Sequence, residues 1–266
     1  MVMMSVLLSF IFPASASLVI RGMSVISLVS VGNAFLSEIR GKHMNYSKFW
    51  NANSTEKMQM KLSSKVGMLL SYTPAFLVCL ASFWIFPHEG FRSTLLQSAL
   101  TLHFFKRLFE VLFIHKYSGG MALDTTITIS LNYFISTSLM IYDQNLTQGL
   151  PEPPINLVYP GIVLFVVGIS GNLYHHYLLS KLRGKGEKEY KIPRGGCFEL
   201  VICPHYLFEI IGFLGVSFIS QTFYPFSFTL GSTIYLMGRS YATRKWYLSK
   251  FEDFPKHVKA VIPFVF

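Results

Sequence analysis

Lys181-Leu-Arg-Gly-Lys-Gly-Glu-Lys-Glu-Tyr190-Lys-Ile-Pro-Arg194-Gly-Gly196 is a cationic, glycine-punctuated turn between two apolar runs, Ile155–Tyr174 and Phe198–Ile219. Runs of roughly 17–25 mostly apolar residues read as membrane helices. A basic loop at the edge of such helices, flanked by polar residues inside them, points to an anionic ligand docking at that rim.

Working outward from this turn, further spans read at Val66–Phe86, Thr94–Ile114, Thr125–Tyr142 and Phe223–Met237. The first 37 residues hold at least one more, either one long span or two short ones interrupted at Arg21-Gly22. The fold class is therefore all-α, a polytopic membrane bundle of about seven transmembrane helices. Thr94–Ile114 is amphipathic, with His103, Lys106, Arg107 and Glu110, and suits an interface or a cavity wall. Residues 1–115 read as an N-terminal transmembrane region and 116–266 as a C-terminal region holding the basic turn, together one integrated bundle.

Composition agrees. Of 266 residues, 52% are hydrophobic and only 14% charged, unlike a soluble domain. A net charge of +10 invites a nucleic-acid reading, but basic soluble binders lack long apolar runs. In a membrane protein the excess sits in cytoplasmic loops. Basic residues crowd Glu38–Lys65, the 181–194 turn and the tail after Met237, whereas Asp143–Pro154 and Gln221–Phe226 carry no Lys or Arg. The basic segments and the C-terminus are expected in the cytosol.

Met1–Ala16 resembles a secretory signal but lacks a basic start, and apolar sequence continues past Ala16, so a retained span is expected. The sequons at Asn45 and Asn53 fall on the cytosolic side of this topology and Asn145 on the other. Cys79, Cys197 and Cys203 have no metal or disulfide spacing and read as small apolar fillers.

Polar groups within spans are costly and mark candidate sites. They are His103, Lys106, Arg107, Glu110, Asn172, His175, His176, Glu209 and Arg239, with the hydroxyls of Tyr72, Tyr206 and Tyr247 near membrane ends. His103, Arg107 and Glu110 share a helix face. They form either a self-neutralised interfacial helix or the cationic wall of a cavity. Asn172 and His176 are one turn apart and suit a carboxamide or ribose. Arg183, Lys185, Lys188 and Lys191 suit phosphates, or merely set topology. His205 and Glu209 are one turn apart and can pair. Several chemistries are excluded: no clustered histidines of a di-iron desaturase, no GxGxxG, no P-loop, no GxSxG.

These residues carry a resemblance. Gly171-Asn172, Leu182-Arg183, Gly186-Glu187, Tyr190-Lys-Ile-Pro-Arg-Gly-Gly196, Pro204-His-Tyr-Leu-Phe-Glu209, Arg239 and Trp246-Tyr-Leu-Ser-Lys-Phe-Glu-Asp-Phe-Pro255 stand in the order found in the membrane steroid 5α-reductase family. That family includes the trans-2-enoyl-CoA reductases. The resemblance covers roughly Tyr159–Phe266. It implies a multi-pass endoplasmic reticulum enzyme of lipid or steroid metabolism that uses NADPH to saturate a carbon–carbon double bond conjugated to a carbonyl. It implies that Asn172, Arg183, Tyr190, His205, Glu209, Arg239 and Tyr247 line the cofactor pocket, with Arg107 near it. Tyr206 and Tyr72 are the candidate catalytic proton donors. The partners are a lipid-like substrate and membrane lipids, with no nucleic acid and no metal.

Departures bear on substrate. The Gln-Glu pair of steroid reductases is replaced around Leu70-Ser-Tyr-Thr-Pro74, and Phe104 stands where they carry Tyr. Lys106-Arg107 and Cys203-Pro-His-Tyr206 look more like the enoyl-CoA reductases; Gly195-Gly196 and Phe251-Glu-Asp-Phe-Pro255 look more like the steroid enzymes. A membrane methyltransferase shares similar helices but usually an Arg-His-Pro element, where this chain has Pro204-His205. A non-catalytic sterol- or lipid-binding protein on the same scaffold is the remaining alternative.

Overall fold

The computed structural model describes residues 9–49, 60–86, 90–117, 119–184, 187 and 189–266. Asn53, Lys185 and Lys188 lie outside the described residues. Seven long helices run through the described residues: α1 Leu18–Ile39, α2 Ser64–Ile85, α3 Phe91–Phe109, α4 Leu123–Asn145, α5 Val158–Lys181, α6 Pro204–Ser220 and α7 Phe223–Lys250. A π-helical turn, Glu110–Ile114, prolongs α3. Two three-residue strands, β1 Lys61–Ser63 and β2 Gly120–Ala122, pair antiparallel. The chain is all-α in class.

Three helices, α1, α2 and α5, are long and apolar enough to cross a membrane, and α6 is a shorter apolar helix. α1 turns Leu18, Val25, Ile26 and Val29 outward, as a helix does when its solvent is lipid. The N-terminal expectation resolves within the described residues to one helix. Arg21 lies in its first turns and does not interrupt it; its Nε donates to Ser15 O at 2.9 Å. The last span runs well past the expected Met237, to Lys250.

Pro74 sits inside α2. A proline there leaves the carbonyl four residues back without its donor. That carbonyl, Leu70 O, accepts from Ser130 Oγ of α4 at 3.0 Å, so the break in α2 is met by the helix packed beside it.

The closest helix crossing is α5 on α6, and glycine makes it possible. A Cβ on Gly168 would lie 2.3 Å from Gly212 N, and one on Gly215 would lie 2.4 Å from Phe165 N. Only bare backbone fits at such points, the small-residue interface that joins helices in membranes. Elsewhere α1 packs on α7 and α2 on α4. The main core gathers Leu96, Leu100, Phe104, Phe165, Phe213 and Ile219 from three of the helices. At the end away from the basic loops, Gln221 turns the chain from α6 to α7 in a left-handed conformation (φ 53°). Its amide bonds Phe10 O and Ile155 O, and Arg92 bonds Gln221 and Glu152.

Candidate active site

The glycine seam decides what α5 and α6 present to each other. With the backbones in contact, Asn172 reaches across the seam: Nδ2 donates to His205 O at 2.7 Å and to Glu209 Oε2 at 3.4 Å. Its Oδ1 accepts from Lys106 Nζ of α3. Three helices thus meet on one buried amide. The pairing of His205 with Glu209 expected from their spacing gives way to this arrangement, with the amide engaging the Glu209 carboxylate. Among the described residues, His205 Nδ1 is buried without a partner. His175 stays out of this arrangement: its ring stacks on Phe208 of α6, and its Nε2 ties the loop down by accepting from Cys197 N at 3.0 Å.

A second wall comes from α2, α3 and the π turn. Arg107 NH2 donates to the Tyr72 hydroxyl at 2.5 Å, and the guanidinium lies 4.8 Å from the Tyr72 ring centre. Arg107 NH1 pairs with Glu110 at 3.1 Å, so the ion pair expected one turn apart is present, but as part of a wall. Glu110 is fully buried and also meets Lys106 at 3.0 Å and His176 Nδ1 at 2.9 Å. Among the described residues, Arg107 Nε and His205 Nδ1 are both buried without a partner. Two orphaned polar groups at one chamber cost free energy unless something fills it. Donor atoms of Glu110, His115 and His176 lie within 4.8 Å of one another, a spacing that suits a metal ion. Both carboxylate oxygens are already compensated by Lys106, Arg107 and His176, which argues against a further cation there.

The third wall is cationic. Arg239 is buried in α7 and pairs with the equally buried Glu38 of α1 at 2.8 Å. Glu38 also holds His43 Nδ1 at 2.6 Å. The Arg239 guanidinium lies 4.3 Å from the ring centres of both Tyr46 and Phe49. This staple draws residues 43–49 over the chamber. Lys48 follows, its ammonium 5.2 Å from the Tyr247 ring centre and 5.7 Å from that of Trp246. Enclosure pushes the Lys48 pKa down to about 8; Arg239 and Arg183 add to the shift and Cys203 opposes it. Burial raises the Cys203 thiol to about 11, which leaves it a neutral wall residue. Arg183, just past the end of α5, stacks 4.4 Å over Tyr190, and Tyr190 meets Trp246 edge-on. Tyr247 OH donates to Lys191 O at 3.4 Å.

The three walls enclose a cavity of about 430 Å³. Tyr72, Arg107, Arg183, Tyr190, His205, Tyr206, Glu209, Arg239 and Tyr247 all line it. Asn172 stands directly behind, joined to Glu209. Every residue singled out as catalytic or cofactor-binding therefore gathers at one chamber. The two tyrosines differ in setting. Tyr72 carries a cation on its hydroxyl, whereas Tyr206 packs on the cluster of Ile202, Cys203, Tyr247 and Phe254 beside the cationic wall. His103 is turned instead to pack on Phe213.

Sequence reasoning missed Lys48, Tyr46, Tyr235 and Lys116 as lining residues. Lys48 was indistinguishable from a topology-setting lysine. Only the aromatics before it, Tyr46, and after it, Phe49, hint that this loop packs inward.

Residues 121–266, more than half of the chain, match the family described as 3-oxo-5-alpha-steroid 4-dehydrogenase. Steroid 5-alpha-reductase DET2 of Gossypium hirsutum is 36% identical over 205 residues, which span 70% of this chain and 76% of that protein. The very-long-chain enoyl-CoA reductase of Dictyostelium discoideum is 34% identical over 62% of this chain and 55% of its own length. Human 3-oxo-5-alpha-steroid 4-dehydrogenase 2 is 31% identical over 65% of this chain and 68% of its own length.

Proposed function

The chain belongs to the 3-oxo-5-alpha-steroid 4-dehydrogenase family, and from that premise we propose an NADPH-dependent membrane reductase that saturates a carbon–carbon double bond conjugated to a carbonyl in a lipid. It is an oxidoreductase, as the names of its relatives state of them. The observation that carries the fuller reading is the single chamber shared by Tyr72, Arg107, Glu209, Arg183 and Arg239. It has a cationic, aromatic end suited to a phosphorylated nucleotide and a tyrosine suited to donate a proton at the other.

NADPH supplies a hydride to the β-carbon of the substrate when bound. The residues fit it. Lys48 and Arg183 offer positive charge for phosphates, Tyr190 with Tyr247 offers aromatic faces, and Arg239, paired with Glu38, holds the wall around them. Glu209, held from behind by Asn172, offers an amide-seeking carboxylate, and among the described residues His205 Nδ1 is a buried nitrogen without a partner. Tyr72 is the acid of choice over Tyr206. Arg107 donates to its hydroxyl oxygen, so Tyr72 O–H is left to point at a substrate carbonyl oxygen. The same cation stabilises the charge that develops on that oxygen and on the tyrosine as the proton leaves.

The lipid enters sideways in this reading. Ser27, Ser30, Val31 and Ala34 of α1 and Thr128, Ile129, Asn132 and Tyr133 of α4 line the chamber. α1 is packed mainly on α7 and α4 mainly on α2, so the gap between α1 and α4 faces the bilayer. All seven helices cross the membrane, with the basic loops and the C-terminus in the cytosol where NADPH is held, and the endoplasmic reticulum is the proposed location. Lys48, Tyr72, Arg107 and the α1 lining come from residues 1–115, and Arg183, Tyr190, His205, Glu209, Arg239 and Tyr247 from 116–266, so the two regions work as one bundle.

A second substrate reading, a trans-2-enoyl-CoA, is favoured by one feature: the Lys106-Arg107 pair with its buried Glu110, beside Phe104 rather than a tyrosine. Purified protein in lipid nanodiscs, given NADPH and either a 4-ene-3-oxosteroid or a trans-2-enoyl-CoA, tests both. NADPH oxidation with a product two mass units heavier is expected with one of them. Thermal stabilisation by S-adenosylmethionine and not by NADPH would end the reductase reading in favour of a methyltransferase. NADPH binding without turnover of any unsaturated lipid carbonyl would leave a lipid-binding scaffold.

A further inference from the structure

The proposed reaction asks the Tyr72 hydroxyl to keep one aim through turnover, yet among the described residues its polar partner is Arg107, a long side chain whose Nε has no partner there. Something has to hold that guanidinium. The π turn Glu110–Ile114 ends α3 at this point, and such turns are frequent at functional sites. Its effect is geometric. On an α-helix a residue five positions on lies about 140° round the axis; the wider turn brings it back toward the same face. His115, five residues after Glu110, accordingly has Nε2 4.0 Å from Glu110 Oε2. At that distance it packs beside the carboxylate without a hydrogen bond, while His176 Nδ1 and Lys106 Nζ hold the other oxygen, Oε1, at 2.9 and 3.0 Å.

Glu110 is thereby flanked on both sides, with no exposed surface. One oxygen is then available to the Arg107 fork: NH1 meets Oε2 at 3.1 Å while NH2 meets Tyr72 OH at 2.5 Å. We propose that Glu110 is the positioning residue of the proton-donating half of the site, holding Arg107 by one arm so that its other arm stays on Tyr72. The inference rests on the reductase reading with Tyr72 as acid. It concerns a residue that touches neither substrate nor cofactor. Lys106 also meets Glu110 but keeps a separate anchor on Asn172, so the cofactor side of the chamber has a hold that does not depend on Glu110.

The test is Glu110→Gln, which keeps the shape and one acceptor but removes the charge that both cations share. Wild type and variant are compared in nanodiscs for folded protein, NADPH affinity by fluorescence, kcat and the solvent deuterium isotope effect on kcat. The expected result is a kcat at least thirtyfold lower per folded molecule, an NADPH Kd within threefold of wild type, and a larger solvent isotope effect as proton transfer becomes the slow step. A folded variant with kcat within threefold of wild type overturns the proposal. So does a loss of rate that tracks a proportional loss of NADPH affinity. If Glu110→Gln does not accumulate, Glu110→Asp, which keeps the charge and withdraws it by one methylene, is read by the same criteria. A wild-type protein that turns over no unsaturated carbonyl lipid removes the reductase reading itself, which sets that failure apart from a failure of Glu110 alone.

Discussion

If the chamber takes NADPH as proposed, Lys48 should give nucleotide binding a pH dependence. Its ammonium is enclosed by Phe49, Trp246 and Tyr247, with Arg239 and Arg183 near, and its pKa is pushed down to about 8 from 10.5. An anionic phosphate beside it favours the charged form and restores the pKa toward 10.5 or above. Binding above pH 8 therefore takes up a proton, and affinity falls as pH rises. Below pH 8 the lysine is already charged and affinity is flat. Between pH 7 and pH 9 the charged fraction of the free protein falls about tenfold, so Kd rises about tenfold, roughly 1.4 kcal/mol. The phosphates change charge little over this range, since a second pKa near 6 leaves them about nine-tenths ionised already at pH 7. The assay is NADPH titration in nanodiscs at half-unit steps from pH 6.5 to 9.5. Lys48→Arg keeps its charge throughout and should flatten the profile at near wild-type affinity. Lys48→Gln should flatten it at weaker affinity. A wild-type Kd unchanged between pH 7 and 9, or a slope that survives in Lys48→Gln, refutes the assignment of Lys48 to the phosphate end.

The acid and the seam give two further expectations. Tyr72→Phe should lower kcat by roughly 10²–10⁴, the usual worth of a positioned acid, with NADPH affinity kept, while Tyr206→Phe should cost less than about tenfold; the reverse order would move the acid to Tyr206. Gly168→Ala places a methyl 2.3 Å from Gly212 N, against backbone that cannot rotate away, and should cost about 3 kcal/mol or more, a thermal midpoint drop of roughly 6–12 °C. Gly32→Ala in α1 meets nothing within 4 Å and serves as the comparison; an equal drop in both variants would mean that the seam is not tight.

How much of this was legible depended on how local the cause was. The apolar runs of α2 and α5 announce themselves because lipid-length hydropathy is a property of consecutive residues. α7 was foreshortened because Arg239, Arg244 and Lys245 end the apolar run, although the helix continues to Lys250. The reason is Glu38, 201 residues away, which neutralises Arg239 inside the bundle; a buried charge is tolerable only when paired. The candidate site residues came from polar groups where lipid forbids them and from a family resemblance, and they converge on one chamber. Lys48 did not announce itself, since a lysine in a basic loop carries no local sign of the rings that close over it. The glycines were visible at Gly161, Gly168, Gly212 and Gly215, but which helix faces which is not written in either run.

That glycine seam also assigns a division of labour. Where two backbones touch there is no side-chain cushion to compress, so α5 and α6 have no room to tilt or slip against each other. They act as an anvil that fixes the angle between whatever lies on Asn172 and Glu209 and whatever it reacts with. On the proposed reading, the breathing that admits a bulky lipid and releases a product falls to the opposite leaf, α1 with residues 43–49, which meets α7 across side chains such as Val31 and Phe35 and is held at its end by the Arg239–Glu38 pair, the Tyr46–Tyr235 hydroxyl contact and the rings of Tyr46 and Phe49. Precision and access are thus built into opposite sides of the same chamber.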